Sequence, residues 1–229
     1  SAGDGGSNSG NTYSFGTGTN AERAFGGLRS GSLIPIVGAL FTNNTGATVT
    51  SLTITYTGEQ WRLGTTGRND RLDFQYSTNA TSLTTGTWTD VNALDFTAPM
   101  TSGTVGSLDG NLAANRTAIS STITGLTIAN GSTVWIRWNS FDATGSDDGL
   151  AIDNFSLTPN GATPALSIND VTQTEGNSGM ITYSFTVSLD SPAHAGGVTF
   201  DIATANNSAS AGSDYIAKSS TGQSIAAGS

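Results

Sequence analysis

Leu52-Thr53-Ile54-Thr55-Tyr56-Thr57-Gly58-Glu59-Gln60-Trp61-Arg62-Leu63 is the stretch on which the reading of this chain turns. As far as Thr57, apolar residues and threonines alternate strictly. Leu52, Ile54 and Tyr56 point one way, and Thr53, Thr55 and Thr57 the other. A period of two is the signature of a strand with one buried face. Beyond Gly58 the large apolar residues are Trp61 and Leu63, on the opposite parity. A glycine at a parity switch predicts a bulge or bend. Such a bend re-aims Glu59, Gln60, Trp61 and Arg62. Two readings of that cluster stand side by side. Either Trp61 is core and Glu59 pairs with Arg62 at a sheet rim, or Glu59, Trp61 and Arg62 form a ligand-facing corner.

The flanking segments carry the same period. Tyr13 and Phe15 mark a first strand. The run from Leu33 to Thr42 is more continuously apolar, as expected of a strand covered on both sides, and Pro35 puts its start at an edge or bulge. Leu72, Phe74 and Tyr76 alternate, and Trp88, Leu94 and Phe96 belong to short strands. A Gly/Ser/Asn-rich loop spans 99–115, long enough to suggest a role of its own. Ile119 and Ile123 mark the next strand. After the Asn130-Gly131 turn, Val134, Ile136 and Trp138 oppose Trp135 and Arg137. An acidic loop, Asp142-Ala143-Thr144-Gly145-Ser146-Asp147-Asp148-Gly149, leads into a closing strand over 150–157.

No stretch reads as a helix. About ten short strands separated by turn signals predict a two-sheet sandwich ending near Thr158. Residues 159–164 are a Pro/Gly linker. The alternation then restarts through Leu166 and Ile168, and runs through Ile181, Tyr183, Phe185, Val187 and Leu189. It returns in Val198, Phe200 and Ile202, and Ser224-Ile225-Ala226 begins one more strand. The fold class expected is all-β: two tandem antiparallel β-sandwiches, over 1–158 and 165–229.

Composition narrows the chemistry. Of 229 residues only 11% are charged, and the net charge is −9. Lys218 is the single lysine and the arginines are scattered, so no basic stripe exists for a phosphate backbone and nucleic acid is not an expected partner. There is no cysteine, which removes disulfides, thiolate metal sites and cysteine nucleophiles. No apolar run is long enough to span a bilayer, so membrane insertion is not expected. The sole histidine, His194, lies in a turn beside Pro192, which argues against a Ser-His-Asp triad. A carboxylate pair such as Glu59 with Asp147 or Asp153 suits glycoside chemistry, but nothing in the sequence sets the two groups opposite each other. The Thr/Asn/Gly-rich, Lys-poor composition predicts a bacterial secreted or cell-surface protein.

The second segment carries recognisable motifs: Leu166-Ser167-Ile168-Asn169-Asp170, Thr174-Glu175-Gly176-Asn177-Ser178-Gly179, Tyr183-Ser184-Phe185-Thr186-Val187-Ser188-Leu189, and Ala203 through Ser213-Asp214-Tyr215. It resembles a Calx-beta domain, the Ig-like calcium-binding sandwich of sodium–calcium exchangers and many bacterial surface proteins. The resemblance implies Glu175 and Asp214 as Ca²⁺ ligands. The family's C-terminal acidic half has no counterpart in these residues, which leaves two carboxylates where Ca²⁺ takes six to eight oxygens. Half a sandwich exposes strand edges. Either the sequence belongs to a longer protein, or another copy or surface protein completes it by strand addition.

Residues 12–158, through Gly58-Glu59-Gln60-Trp61-Arg62, Ile136-Arg137-Trp138 and Asp147-Asp148-Gly149-Leu150-Ala151-Ile152-Asp153-Asn154-Phe155, resemble a jelly-roll or MAM-like sandwich module of large bacterial secreted proteins. That resemblance implies a setting rather than an activity.

Three candidate chemistries result. The Asp142–Asp148 loop is Asp/Gly/Ser-rich like a hard-cation loop, with Asp147 and Asp148 as calcium ligands. Trp61, Trp135 and Arg137, with Glu59 and Arg62, are the residue types that stack on and hydrogen-bond to a polysaccharide. The low charge and tandem sandwiches fit a non-enzymatic adhesive or structural surface component. The alternative is a carbohydrate-binding accessory region of a larger secreted hydrolase or nuclease.

Overall fold

In the computed structural model, which describes residues 1–18, 21–161, 164–174, 176–193 and 196–228, the chain is all-β. Two compact units divide it: Ser1–Asn43 with Val49–Asn160, and Asn44–Thr48 with Gly161–Ser229.

The first unit is built on β5 (Val49–Leu63). It belongs to a seven-stranded sheet with β1 (Ala2–Gly3), β2 (Asn11–Phe15), β3 (Ala24–Leu28), β9 (Gly106–Ser107), β10 (Arg116–Ile123) and β12 (Gly149–Gly161). The spatial order is β1-β2-β3-β12-β5-β10, with β9 also pairing β5. The second sheet has five strands, β4 (Ile36–Thr42), β6 (Arg71–Ser77), β7 (Thr89–Asp90), β8 (Phe96–Thr97) and β11 (Thr133–Ser140), ordered β4-β11-β6-β7 with β8 also on β6. β2 pairs β3, β3 pairs β12, β5 pairs β10, and β11 pairs β4 and β6, all antiparallel, whereas β1 pairs β2 in parallel. Two single-turn 3₁₀ helices, Asn92–Leu94 and Ala113–Asn115, interrupt the loops.

The main core lies between the inner faces of these sheets. Leu52, Ile54 and Tyr56 of β5 meet Leu72 and Phe74 of β6 and Val134, Ile136 and Trp138 of β11. Trp138 anchors it, with Tyr56, Phe74 and Phe155 edge-on at 5.2, 5.2 and 5.6 Å. A smaller core of Tyr13, Phe15, Ala24, Leu28, Trp61 and Ala151 uses the other side of the seven-stranded sheet.

The bend expected at Gly58 does not occur. β5 is continuous for 15 residues, and its register with β10 runs without slip from Leu52↔Ile123 to Glu59↔Arg116. The parity of its apolar residues changes because its second face becomes covered by the smaller core, not because the backbone turns over. Gly58 has a different cause: a Cβ there would lie 2.2 Å from the Phe96 ring.

A parity switch does exist, on β12. Leu150 and Ile152 face the main core, and so do Phe155 and Leu157. The slip of one residue falls at Asn154, which has φ 50°, the one non-glycine positive φ among the described residues. A single left-handed residue in a strand is the geometry of a bulge, and asparagine tolerates it better than most residues. β4, expected to be covered on both sides, is an edge strand, with Leu40 47% exposed.

In the second unit, β13 (Leu166–Ile168) pairs β14 (Val187–Leu189), and β15 (Val198–Ala203) pairs β16 (Ser219–Ile225). The long alternating run from Ile181 forms a strand only from Val187 onward. Phe185 is 54% exposed and Ile168 52%, and the buried apolar residues described in this unit are Ala47 and Ala193. Two-stranded sheets cannot bury the inward face that their alternation provides.

Candidate functional site

Glu59, Asp153 and Glu22 converge on the outer side of the seven-stranded sheet. Glu59 comes from β5 and Asp153 from β12, its neighbour. Glu22 lies two residues before β3, the strand beyond β12. One carboxylate oxygen of each lies within 4.8 Å of those of the other two. The Asn154 bulge follows Asp153 directly, and the Asn154 amide donates to Asp153 Oδ2 at 2.8 Å.

Glu59 is fully buried. Its Oε2 accepts from the Trp61 indole at 2.9 Å, and its Oε1 is buried without a hydrogen-bond partner. Residues two apart on a strand share a face, so the Glu59–Trp61 contact follows from the continuity of β5. The expected Glu59–Arg62 pair does not form for the same reason, since residues three apart point to opposite faces. Arg62 instead donates to the carbonyls of Gly5 and Gly6 at 3.0 and 3.2 Å. Burial pushes the Glu59 carboxyl up to about 7, with Glu22 and Asp153 adding to the rise and the Trp61 indole and Arg116 opposing it. The indole of Trp61 is itself fully buried, stacked on Phe15 at 5.9 Å. It presents no free face on which a sugar ring could stack.

Asp148 holds the acidic loop to the end of β5. It accepts from Gly64 N–H at 2.6 Å and from the Gln60 amide at 2.7 Å, so both its oxygens are engaged by protein donors. Its own N–H donates to Asp70, which pairs with Arg68. Gly64 is required here, because a Cβ would sit 2.2 Å from the Asp147 carbonyl. Burial pushes the Asp148 carboxyl up to about 6 and raises Asp147 as well. This loop and the Glu22–Glu59–Asp153 group are separate: among the described residues, only the latter brings three carboxylates within reach of one ion.

Trp135 and Arg137 sit half-buried on the outer face of the five-stranded sheet. The Arg137 guanidinium lies 3.9 Å from the Trp88 ring centroid and donates to Gln75 at 2.7 Å and to the Leu83 carbonyl. In the second unit, the exposed Asp214 closes a turn through Oδ2, which accepts from Ser210 N–H at 2.7 Å. Glu175 and His194 lie outside the described residues.

Sequence reading passed over Glu22 and gave Asp153 no metal role. A signal for Asp153 was present: the apolar parity of Leu150 and Ile152 against Phe155 and Leu157 locates the bulge beside it. Nothing local marks Glu22, whose place depends on the pairing of distant strands. No protein-family model, curated protein or solved structure matches the chain.

Proposed function

We propose that this chain is a non-enzymatic component of a bacterial extracellular assembly, in which its second unit associates with further copies by strand addition. The observation that carries the reading is the pair of two-stranded sheets with apolar residues left in solvent. Leu166, Ile168 and Phe185 are 44%, 52% and 54% exposed. Strand edges of this kind accept an added strand, whose backbone supplies the missing hydrogen bonds. Beside β14, Val187, Leu189, Pro192 and Ile225 line an open hollow of about 500 Å³ suited to an apolar side chain.

The low charge, the lysine-poor composition and the resemblance of residues 165–229 to surface-protein sandwiches support an extracellular setting. Leaving catalysis out is supported by the burial of Glu59, which keeps one member of the candidate glycoside-cleaving carboxylate pair from a sugar. No helix of the described residues is long and apolar enough to cross a membrane.

Sedimentation velocity over a hundredfold concentration range tests the reading. The wild type should form concentration-dependent assemblies, and Ile168→Lys with Phe185→Lys should shift them to monomer. A wild type that is monomeric throughout overturns it.

One observation favours the second reading, a polysaccharide-binding accessory region. Trp135, Trp88, Arg137 and Gln75 are half-buried, and Arg137 bonds to Gln75 and stacks on Trp88. Affinity electrophoresis in soluble polysaccharide gels should then show retardation that Trp135→Ala removes. Equal mobility of wild type and variant in every gel rejects it.

A further inference from the structure

We propose that Glu22, Glu59 and Asp153 form a binding site for a hard divalent cation of calcium's size, distinct from the Asp147–Asp148 loop and independent of strand addition.

The spacing fits. Two oxygens bound to one Ca²⁺ at about 2.4 Å each stand at most about 4.8 Å apart, and the three carboxylates meet that limit. The donor set is all oxygen, which suits Ca²⁺ or Mn²⁺ rather than the thiophilic metals. Glu59 and Asp153 come from neighbouring strands of one sheet, whose backbones are held by sheet hydrogen bonds, and Glu22 lies in the segment leading into β3.

A second observation points to a ligand apart from the clustering. Glu59 is fully buried, yet its Oε1 has no hydrogen-bond partner. An unsatisfied buried carboxylate oxygen bears the desolvation penalty uncompensated, and a cation removes that penalty. Arg116 does not do so: it is exposed, and it makes no ion pair with Glu59 among the described residues.

Charge balance agrees. Three carboxylates converge, and a divalent cation together with the nearby Arg116 would leave the site close to neutral. Glu22 and Asp153 are half-buried, with both Glu22 carboxylate oxygens enclosed. The three carboxylates supply three to six of the roughly six to eight oxygens that Ca²⁺ takes, and water can supply the rest.

Terbium luminescence tests the site directly, because Tb³⁺ takes Ca²⁺ positions and the Trp61 indole donates to Glu59 itself. Excitation through tryptophan should give saturable one-site emission that CaCl₂ displaces. Glu59→Gln and Asp153→Asn should each weaken Tb³⁺ binding at least tenfold, and Asp148→Asn should leave it unchanged. Near-UV circular dichroism without metal checks folding, and Glu22→Gln replaces either variant that fails it. Emission that does not saturate, or that persists with wild-type affinity in the folded variants, overturns the proposal.

Discussion

The two halves of β5 differ although the strand is one. From Val49 to Thr57 its outer face is half-exposed and holds Ser51, Thr53, Thr55 and Thr57. Thr53 meets Thr122 of β10 there, hydroxyl to hydroxyl, at 3.0 Å. From Gly58 to Leu63 every residue but Arg62 is buried, and the outer face holds Glu59, Trp61 and Leu63. The same backbone period thus serves a one-sided strand and then a two-sided one. Polar groups in the second half cannot rely on water, so each needs a built partner: Gln60 bonds Met100 and Asp148, and Trp61 bonds Glu59. The half-satisfied Glu59 stands out against that background.

The largest effect should come from emptying the two-sided half. Trp61→Ala leaves a cavity against Phe15 and strips Glu59 of its donor, and should lower unfolding free energy by about 3–5 kcal/mol. Thr55→Ala, on the open face of the other half, should change it by less than about 0.5 kcal/mol. Urea denaturation of the two variants measures the contrast, and equal losses would erase the distinction between the halves.

The acidic loop that closes this half should make stability pH-dependent. Asp148 titrates near 6 in the fold against an ordinary value of 3.8, raised by burial. Between those values the native chain holds a proton that the unfolded chain has released. The contribution of Asp148 is therefore greatest below the ordinary value and is lost as pH rises through about 6. The loss should reach roughly 3 kcal/mol. Urea midpoints at low and neutral pH should fall more steeply with pH in wild type than in Asp148→Asn, which has no proton to lose at that position. Parallel slopes would remove Asp148 from the account.

Gly58→Ala sharpens the comparison at the junction. Its methyl group would overlap the Phe96 ring, and forcing that ring aside should cost about 1–3 kcal/mol. A neutral outcome in the same urea assay would mean that the ring has room to move.

The smallest expected effect belongs to the bulge on β12. Asn154→Gly keeps the left-handed backbone accessible and should be tolerated within a few tenths of a kcal/mol, whereas Asn154→Val should cost more, about 1–2 kcal/mol. Thermal melts of both variants check the order, and Val tolerated as well as Gly would show that the slip at this position is not fixed by the backbone.

Much of the architecture was legible beforehand. Alternation in Leu52, Ile54, Tyr56, in Leu72, Phe74 and in Val134, Ile136, Trp138 marked the strands that meet at the main core. The bend assigned to Gly58 was wrong because a change of apolar parity has two causes, a bulge or a newly covered face, and local sequence does not separate them. On β12 the cause is a bulge; on β5 it is the smaller core built from β2 and β3. The carboxylate cluster was out of reach for a related reason. Glu22, Glu59 and Asp153 are far apart in the chain and meet only because β3, β12 and β5 are neighbours.

By itself, the sequence determined the all-β class, the position of most strands and the absence of cysteine chemistry, because these depend on side-chain period and composition along the chain. The tertiary structure alone decided which strand faces are covered twice and that Glu59 is buried with one carboxylate oxygen unpartnered. It also decided that the first unit closes a core while the second leaves apolar side chains in solvent. Those outcomes depend on strand order, which is set by long-range pairing and packing rather than by any local pattern.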